Sequence, residues 1–496
     1  MTASPTSRWP FDNTYARLPD RFHQRQGPEP APEPKLIRVN RPLASSLGLD
    51  PDWLESPAGV DVVAGNTVPE GADPIATVYA GHQFGGWNPQ LGDGRALLLG
   101  EVVNPLGERF DIQLKGSGRT RFSRAGDGKA PLGPVLREYI VSEAMAALGV
   151  PTTRALAAVT TGSPVLRTER LPGAVLARVA KSHVRVGTFE YFASQDDREA
   201  LKLLADHVID RHYPELRQSE APYPALLQAV IARQADLIAR WQTIGFIHGV
   251  MNTDNMLVSG ETIDYGPCAF MDYFHPRQVY SSIDHQGRYA YGNQPGIAHW
   301  NLARFAQALL PLLHDDHERA VAVAQAAINE FPDQLLANLG RGMRRKLGLE
   351  DSRDDDESLI EDLLTLMTEG RLDFTLTFRR LAELACPESF EDHVASLVDF
   401  DSAMGPWLER WRARLGEDSA SVEERAEMMR YANPAFIPRN HVVESALRAA
   451  IERADFEPFH RMVDVLAEPF DYRAEHEVFA KPPAPGEEVQ QTFCGT

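Results

Sequence analysis

The 496-residue sequence has little cysteine. Cys268, Cys386 and Cys494 are too few for a disulfide framework or a free-standing zinc site. It lacks any apolar run long enough to span a bilayer. Its opening stretch, MTASPTSRWPFDNTYARLPD, lacks the hydrophobic core of a secretory signal, and its acidic residues argue against a transit peptide. A cytoplasmic protein without a membrane partner is expected. Positive charge is also short: the formal net charge is −20, which excludes a generic nucleic-acid binder, because phosphate contacts need clustered Lys and Arg. One region departs from this balance. Residues 101–190 carry 13 Lys and Arg against 8 Asp and Glu, an island that a bound polyphosphate would explain. Disorder is excluded by the 43 % of hydrophobic residues, enough for a large core.

The last absence is chemical. The stretch GFIHGVMNTDNMLVSGETIDYG, from Gly245 to Gly266, has the layout of a kinase catalytic loop followed by its metal-binding strand. His248, Asn255 and Asp264-Tyr265-Gly266 fall into place, but the base position holds Val250, which cannot accept a proton. Asp254, in the same loop, is the candidate replacement base. Asn255 and Asp264 supply hard oxygen ligands, and Mg2+ on a phosphate chain takes one or two such groups from protein. MLVSGETIDYG reads as a hairpin turning at Gly260, and His248 as a residue that orients the loop.

Upstream, RALLLGEVV and RFDIQLKG read as strands joined by NPLGE, and RALAAVTTG and AVLARVA as two more. GPVLREYIVSEAMAALG has helical periodicity and stops at Gly149-Val150-Pro151. Lys115 ends a strand, where a kinase lysine holds phosphates and pairs with a helix glutamate. Glu138 is the first choice of partner and Glu143 the second. Gly92, Gly94 and Arg95 precede a strand in a Gly-containing turn that could let backbone N–H groups reach phosphate. A second Gly- and Arg-rich loop, Gly116 to Gly133, carries Arg119, Arg121, Arg124 and Lys129 toward the same ligand. Arg178 sits in an apolar strand and needs a phosphate or an internal carboxylate; Arg185 follows it. QGPEPAPEPKLIRVN reads as an extended arm. From Asp196 onward the pattern is helical, including YPALLQAVIARQADLIARWQTIGF, NLARFAQALLPLL, ESLIEDLLTLMTEG, SFEDHVASLVDF and VVESALRAAIERA. The expected fold is α+β, a protein-kinase-like two-lobed fold with additional C-terminal helices. Its expected parts are an N-terminal extension and sheet-rich lobe (1–190), a helical lobe (191–480) and a flexible tail (481–496).

Five long motifs stand out: YAGHQFGGWNPQLGDGRALLLGE, DIQLKGSGRTRFSRAGDGKAPLGPVLREYIVSEAM, HGVMNTDNM, IDYGPCAFMD and NPAFIPRNHVVE. Together they resemble the selenoprotein O family, pseudokinases that act as protein adenylyltransferases, and the likeness runs from about Phe11 to the C-terminus. The resemblance implies that ATP lies flipped relative to kinases, so that AMP passes to a Ser, Thr or Tyr hydroxyl of a protein and pyrophosphate leaves. On this sequence it implies that Lys115, Arg178 and Arg185 hold phosphates beside Asp127 and Gly128, with Glu138 pairing Lys115. Gly92, Gly94 and Arg95 would also contact nucleotide. Asn255 and Asp264 would bind Mg2+ or Mn2+, and Asp254 would be the base. Animal members carry selenocysteine third from the end, where this chain has Cys494; a reversible Cys268–Cys494 disulfide is one expectation. UMP in place of AMP, a true kinase, and a non-catalytic ATP-binding scaffold remain as alternatives. The sequence does not decide the oligomeric state.

Overall fold

The strands of the main sheet all lie before Lys181, and most of the helices follow Arg185. The computed structural model describes residues 9–390, 397, 398, 400 and 402–493. The strands are β1 (His23–Arg25), β2 (Lys35–Val39), β3 (Ile75–Thr77), β4 (Gly81–Gln83), β5 (Gly86–Asn88), β6 (Ala96–Val103), β7 (Arg109–Lys115), β8 (Ala130–Pro131), β9 (Arg154–Leu166), β10 (Arg170–Ala180), β11 (Phe246–Ile247) and β12 (Ala269–Phe270). One antiparallel sheet runs β1-β3-β6-β7-β10-β9-β2, with β8 added on β10. The turn between β6 and β7 is set by Asn104, whose Oδ1 accepts the N–H groups of Leu106 (3.0 Å) and Glu108 (2.8 Å).

Alternation along β7 and β10 gives the sheet two unlike faces. Gln113 lies opposite Arg178 and Lys115 opposite Leu176, so these four side chains share a face. The alternate residues Ile112, Leu114, Val175, Ala177 and Val179 point the other way. They pack with Leu43, Leu54 and Val63 of three short helices between Arg41 and Ala64. The expected arm is in fact docked there: Ala31 is buried in the same cluster, and the Glu29 and Glu33 amides donate to Ser117 O (2.8 Å) and Thr161 O (3.1 Å).

The polar face is covered by helix α1 (Leu132–Ala147). The helices that matter further on are α2 (Val186–Ser194), α3 (Pro222–Thr243), α4 (Gln294–Leu313), α5 (Asn440–Arg453) and α6 (Glu457–Leu466). Leu132, Leu136, Tyr139 and Ile140 of α1 pack with Val443 and Leu447 of α5 and Phe459 and Met462 of α6. Each such fully buried side chain is worth about 1.5–3 kcal/mol. The C-terminal helices thus brace α1 from behind.

The expected hairpin does not form. Met256–Asp264 turns at Gly260 but does not pair with itself. Leu257 bridges Arg185 and Thr262 bridges Thr152, because backbone from the sheet-rich part already offers both halves a partner. The helix expected over SFEDHVASLVDF falls largely outside the described residues, as does Cys494. Among the described residues no helix is long and apolar enough to cross a membrane.

Candidate active site

Glu138 is buried on the inner side of α1, facing the polar strand face. Its Oε2 takes the Lys115 ammonium at 2.5 Å and its Oε1 takes Arg178 Nη1 at 2.9 Å. Both cations also reach Asp264 Oδ1, Lys115 at 2.6 Å and Arg178 at 2.7 Å. Gln113 Oε1 accepts from Arg178 Nε (3.2 Å) and Nη2 (2.5 Å). Internal carboxylates therefore satisfy the strand arginine. Burial opposes ionisation of Asp264, but Lys115, Arg178 and Arg185 outweigh it and hold the carboxyl well below its usual range. Asp264 has φ +63°, the left-handed region that a non-glycine residue rarely occupies. The second-choice partner, Glu143, lies elsewhere, paired to Arg154 at 2.7 Å.

The loop from Gly245 to Asn255 is held from within. The His248 amide donates to Gln294 Oε1 at 2.9 Å, its Nε2 donates to Ile263 O at 2.8 Å, and its Nδ1 accepts from Val250 N at 3.3 Å. The ring is neutral: burial pushes its pKa down, and it stacks on Trp241. His248 therefore orients the loop, as expected. Asn255 commits its amide nitrogen to Val250 O at 3.0 Å, so what it can offer a cation is its oxygen. Asp254 is buried; burial, partly offset by Gln83, raises its pKa to about 6. Its Oδ2 accepts from Gln83 Nε2 at 3.1 Å, and its Oδ1 is buried without a hydrogen-bond partner.

The glycine-rich turns owe part of their composition to packing. A Cβ on Gly92 would meet Phe122 Cγ at 2.3 Å, and one on Gly94 would meet Phe122 O at 2.9 Å. Gly128 (φ +69°) crosses so close to Gly118 that its Cβ would lie 2.0 Å from Gly118 O. Asp127 is held by Arg167 at 3.0 and 3.2 Å, and its Oδ1 also accepts Lys129 N at 3.0 Å. Arg95 gives its backbone oxygen to Gly116 N at 2.7 Å. Arg185, 2 % exposed, donates from Nη1 to His183 O at 3.0 Å and lies 4.3 Å over the Tyr79 ring. Asp93 Oδ1 is 3.7 Å away, and Arg185 Nε is buried without a partner.

These groups wall a cavity of about 680 Å³. Lining it are Gly92, Gly94, Arg95, Lys115, Asp127, Gly128, Glu138, Arg178, Arg185, Asp254, Asn255 and Asp264. Arg124 and Lys129 line it too, whereas Arg119 and Arg121 are exposed and lie outside it, which corrects the expectation for those two. A second cavity, about 640 Å³, is bounded by His82, Trp87, Glu190 and Arg304 and includes none of the Lys115–Asp264 cluster. Among the described residues no group of three or more His, Cys, Asp or Glu could hold a metal alone. Asn255 and Asp264 put two hard oxygen-bearing groups on the cavity wall, and Mg2+ bound to phosphates takes only one or two such groups from protein.

A family model described as protein adenylyltransferase SelO matches residues 5–467. The chain belongs to the SelO family. It is 59 % identical over 491 residues to the protein nucleotidyltransferase YdiU of Rhodopseudomonas palustris (strain BisB5), spanning 99 % of this chain and 100 % of that one. It is 57 % identical over 491 residues to the YdiU of Bradyrhizobium diazoefficiens, with the same coverage. With the YdiU of Rhizobium meliloti (strain 1021) it shares 59 % over 486 residues, 98 % of this chain and 99 % of that one. SelO-family membership makes the chain a nucleotidyltransferase of a protein-adenylylating family.

Sequence reasoning missed three contributors to this SelO-family cleft. Gln83 reaches Asp254, Arg167 holds Asp127, and Gln113 completes the shell of Arg178. Gln83 lies within GHQFGGWN, a motif that carried the family resemblance without suggesting a role. Arg137 was also missed: its Nε donates to Gly266 O (3.1 Å) and its Nη2 to Cys268 O (2.5 Å), tying α1 to the segment after Asp264.

Proposed function

We propose that this chain transfers AMP from ATP to hydroxyl side chains of proteins, in a kinase-like, two-lobed arrangement with the nucleotide flipped. The observation that carries the reading is the pair of carboxylates along the cavity. Asp264 is clamped between Lys115 and Arg178, and Asp254 stands in for the base that Val250 cannot be. The sheet-rich lobe would be residues 1–190, the helical lobe 191–480 and the tail 481–496. Lys115, Arg178, Arg185, Asp127, Gly128, Gly92, Gly94 and Arg95 would surround the nucleotide, with Glu138 setting Lys115. Asn255 and Asp264 would hold Mg2+, which when bound adds positive charge beside the phosphates.

Asp254 then accepts the proton of the acceptor hydroxyl. The hydroxyl oxygen bonds to the α-phosphorus, the bond from that phosphorus to the bridging oxygen of the β-phosphate breaks, and pyrophosphate leaves. Arg185, buried with an unused Nε, supports the flipped orientation, because a γ-phosphate taken deep into the cleft needs a cation there. The test is mass spectrometry of proteins incubated with the enzyme, ATP and Mg2+. An AMP adduct on Ser, Thr or Tyr is expected, reduced roughly a hundredfold or more in Asp254→Asn, the scale of losing a general base. A phosphate adduct instead would make the chain a kinase and overturn the reading.

A further inference from the structure

The β4–β5 hairpin lies against the catalytic loop, and every polar contact between them converges on Asp254 or its neighbours. Gln83 Nε2 donates to Asp254 Oδ2 at 3.1 Å. The other oxygen faces Gly81, where a Cβ would sit 2.5 Å from Asp254 Oδ1 and 3.0 Å from Asp254 Cβ. One residue on, the His82 amide donates to Thr253 Oγ1 at 2.7 Å. Thr253 Oγ1 donates in turn to Glu190 of α2, and Glu190 also meets His82 Nδ1 at 2.6 Å. At the hairpin's tip the Phe84 amide reaches Asn252 Oδ1 at 3.1 Å. The hairpin thus follows the loop from Asn252 to Asp254, side chain by side chain.

The carboxylate is left little freedom. Gly81 offers room for Oδ1 that no other residue would give, and Gln83 draws Oδ2 by its amide. A base must lie within hydrogen-bond reach of the proton it takes, so its rotamer matters as much as its presence. The Gln83 side-chain amide donates to Asp254, whereas Lys115 donates to Glu138 and Asp264, so the hydrogen bonding of Gln83 bears on the carboxylate and not on the lysine cluster.

We propose that the β4–β5 hairpin is a positioning element of the transfer, with Gly81 and Gln83 together fixing the Asp254 carboxylate toward the acceptor hydroxyl. The proposal rests on the reading of Asp254 as base. Gln83→Met keeps the side chain's length and removes its donor; Gly81→Ala crowds Oδ1. Each should lower kcat for AMP transfer by about tenfold or more, since small misplacements at a reacting centre are costly. The Kd for ATP, measured by titration, should stay within about twofold of wild type, as expected when only a transition-state interaction is lost. Either change placed in Asp254→Asn should reduce the residual transfer no further, because both act through the same carboxylate. Wild-type kcat in both single variants overturns the proposal. So does an ATP affinity that falls in step with kcat, which would make the hairpin a structural support only. Normal transfer by Asp254→Asn would instead remove the base assignment itself, a result distinct from the other two.

Discussion

Two buried arginines in one cleft have different bonding, and the difference assigns them different work. Arg178 spends its guanidinium on Gln113, Glu138 and Asp264, so it shapes the cluster. Arg185 has one firm hydrogen bond, a looser approach to Asp93 and a spare Nε. A charge-assisted hydrogen bond to phosphate is worth about 1.5–3 kcal/mol, or roughly ten- to a hundredfold in affinity. Arg185→Ala is therefore expected to weaken ATP by that factor and leave AMP nearly unchanged, by titration of each nucleotide. A uniform loss for ATP, ADP and AMP would place Arg185 away from the distal phosphates. Much of this scale was legible in advance. Lys115 ends a clean alternating run and Glu138 lies on a clean helical one, so each could be oriented from its neighbours. Gln83 was not legible, because a neutral amide in a Gly-rich hairpin gives no charge signal and its partner lies 171 residues away.

Helix α1 is the element on which the cleft depends. It presents Glu138 to the sheet, and Arg137, beside it, holds the chain after Asp264 through Gly266 O and Cys268 O. Arg137 Nη1 also meets Glu444 of α5 at 2.9 Å, so one buried arginine joins α1, the segment after Asp264 and a C-terminal helix. Arg137→Ala leaves two carbonyls short of a donor, at about 1–3 kcal/mol each. Lower thermal stability and slower transfer are expected together, with Arg137→Lys between alanine and wild type. Unchanged transfer in a stably folded Arg137→Ala would show that α1 and Asp264 are set independently. The periodicity of α1 was readable. What it packs against was not, since α5 and α6 follow some three hundred residues later. The supposed Met256–Asp264 hairpin failed for a related reason: local pattern marked the turn at Gly260, but long-range backbone partners took both halves.

At the scale of the molecule, buried charges tie the second half together. Arg439, fully buried, reaches Asp272 at 2.8 Å and Asp373 at 2.6 Å, and Asn440 Nδ2 donates to Phe270 O at 2.9 Å. This gives the motif NPAFIPRNHVVE a clamping role that its sequence did not disclose. Near the other end of that region the tail docks: Thr492 donates from Oγ1 to Pro267 O at 2.6 Å and from its amide to Tyr280 O at 2.7 Å. Cys268, next to Pro267, is fully buried, and burial pushes its thiol up to about 11. Lys346 is the second buried cation to consider. Its ammonium meets Ala432 O at 3.1 Å and the Phe378 ring at 4.3 Å, and burial lowers its pKa to about 7. Between about pH 7 and the ordinary lysine value near 10.4, the unfolded chain keeps a proton that the folded chain has lost. Stability from this group therefore rises with pH in that window, by up to about 1.4 kcal/mol per unit. Lys346→Met should be more stable than wild type at pH 7 by urea denaturation, and the gap should narrow by pH 9; parallel curves would mean the lysine stays charged when folded. The measurement that bears most directly on the whole account follows the two labels of ATP. With protein acceptors and Mg2+, α-labelled ATP should mark protein, γ-labelled ATP should release labelled pyrophosphate and mark none, and Asp264→Asn should abolish both signals. Label reaching protein from the γ-position would contradict the flipped nucleotide and the transfer built on it.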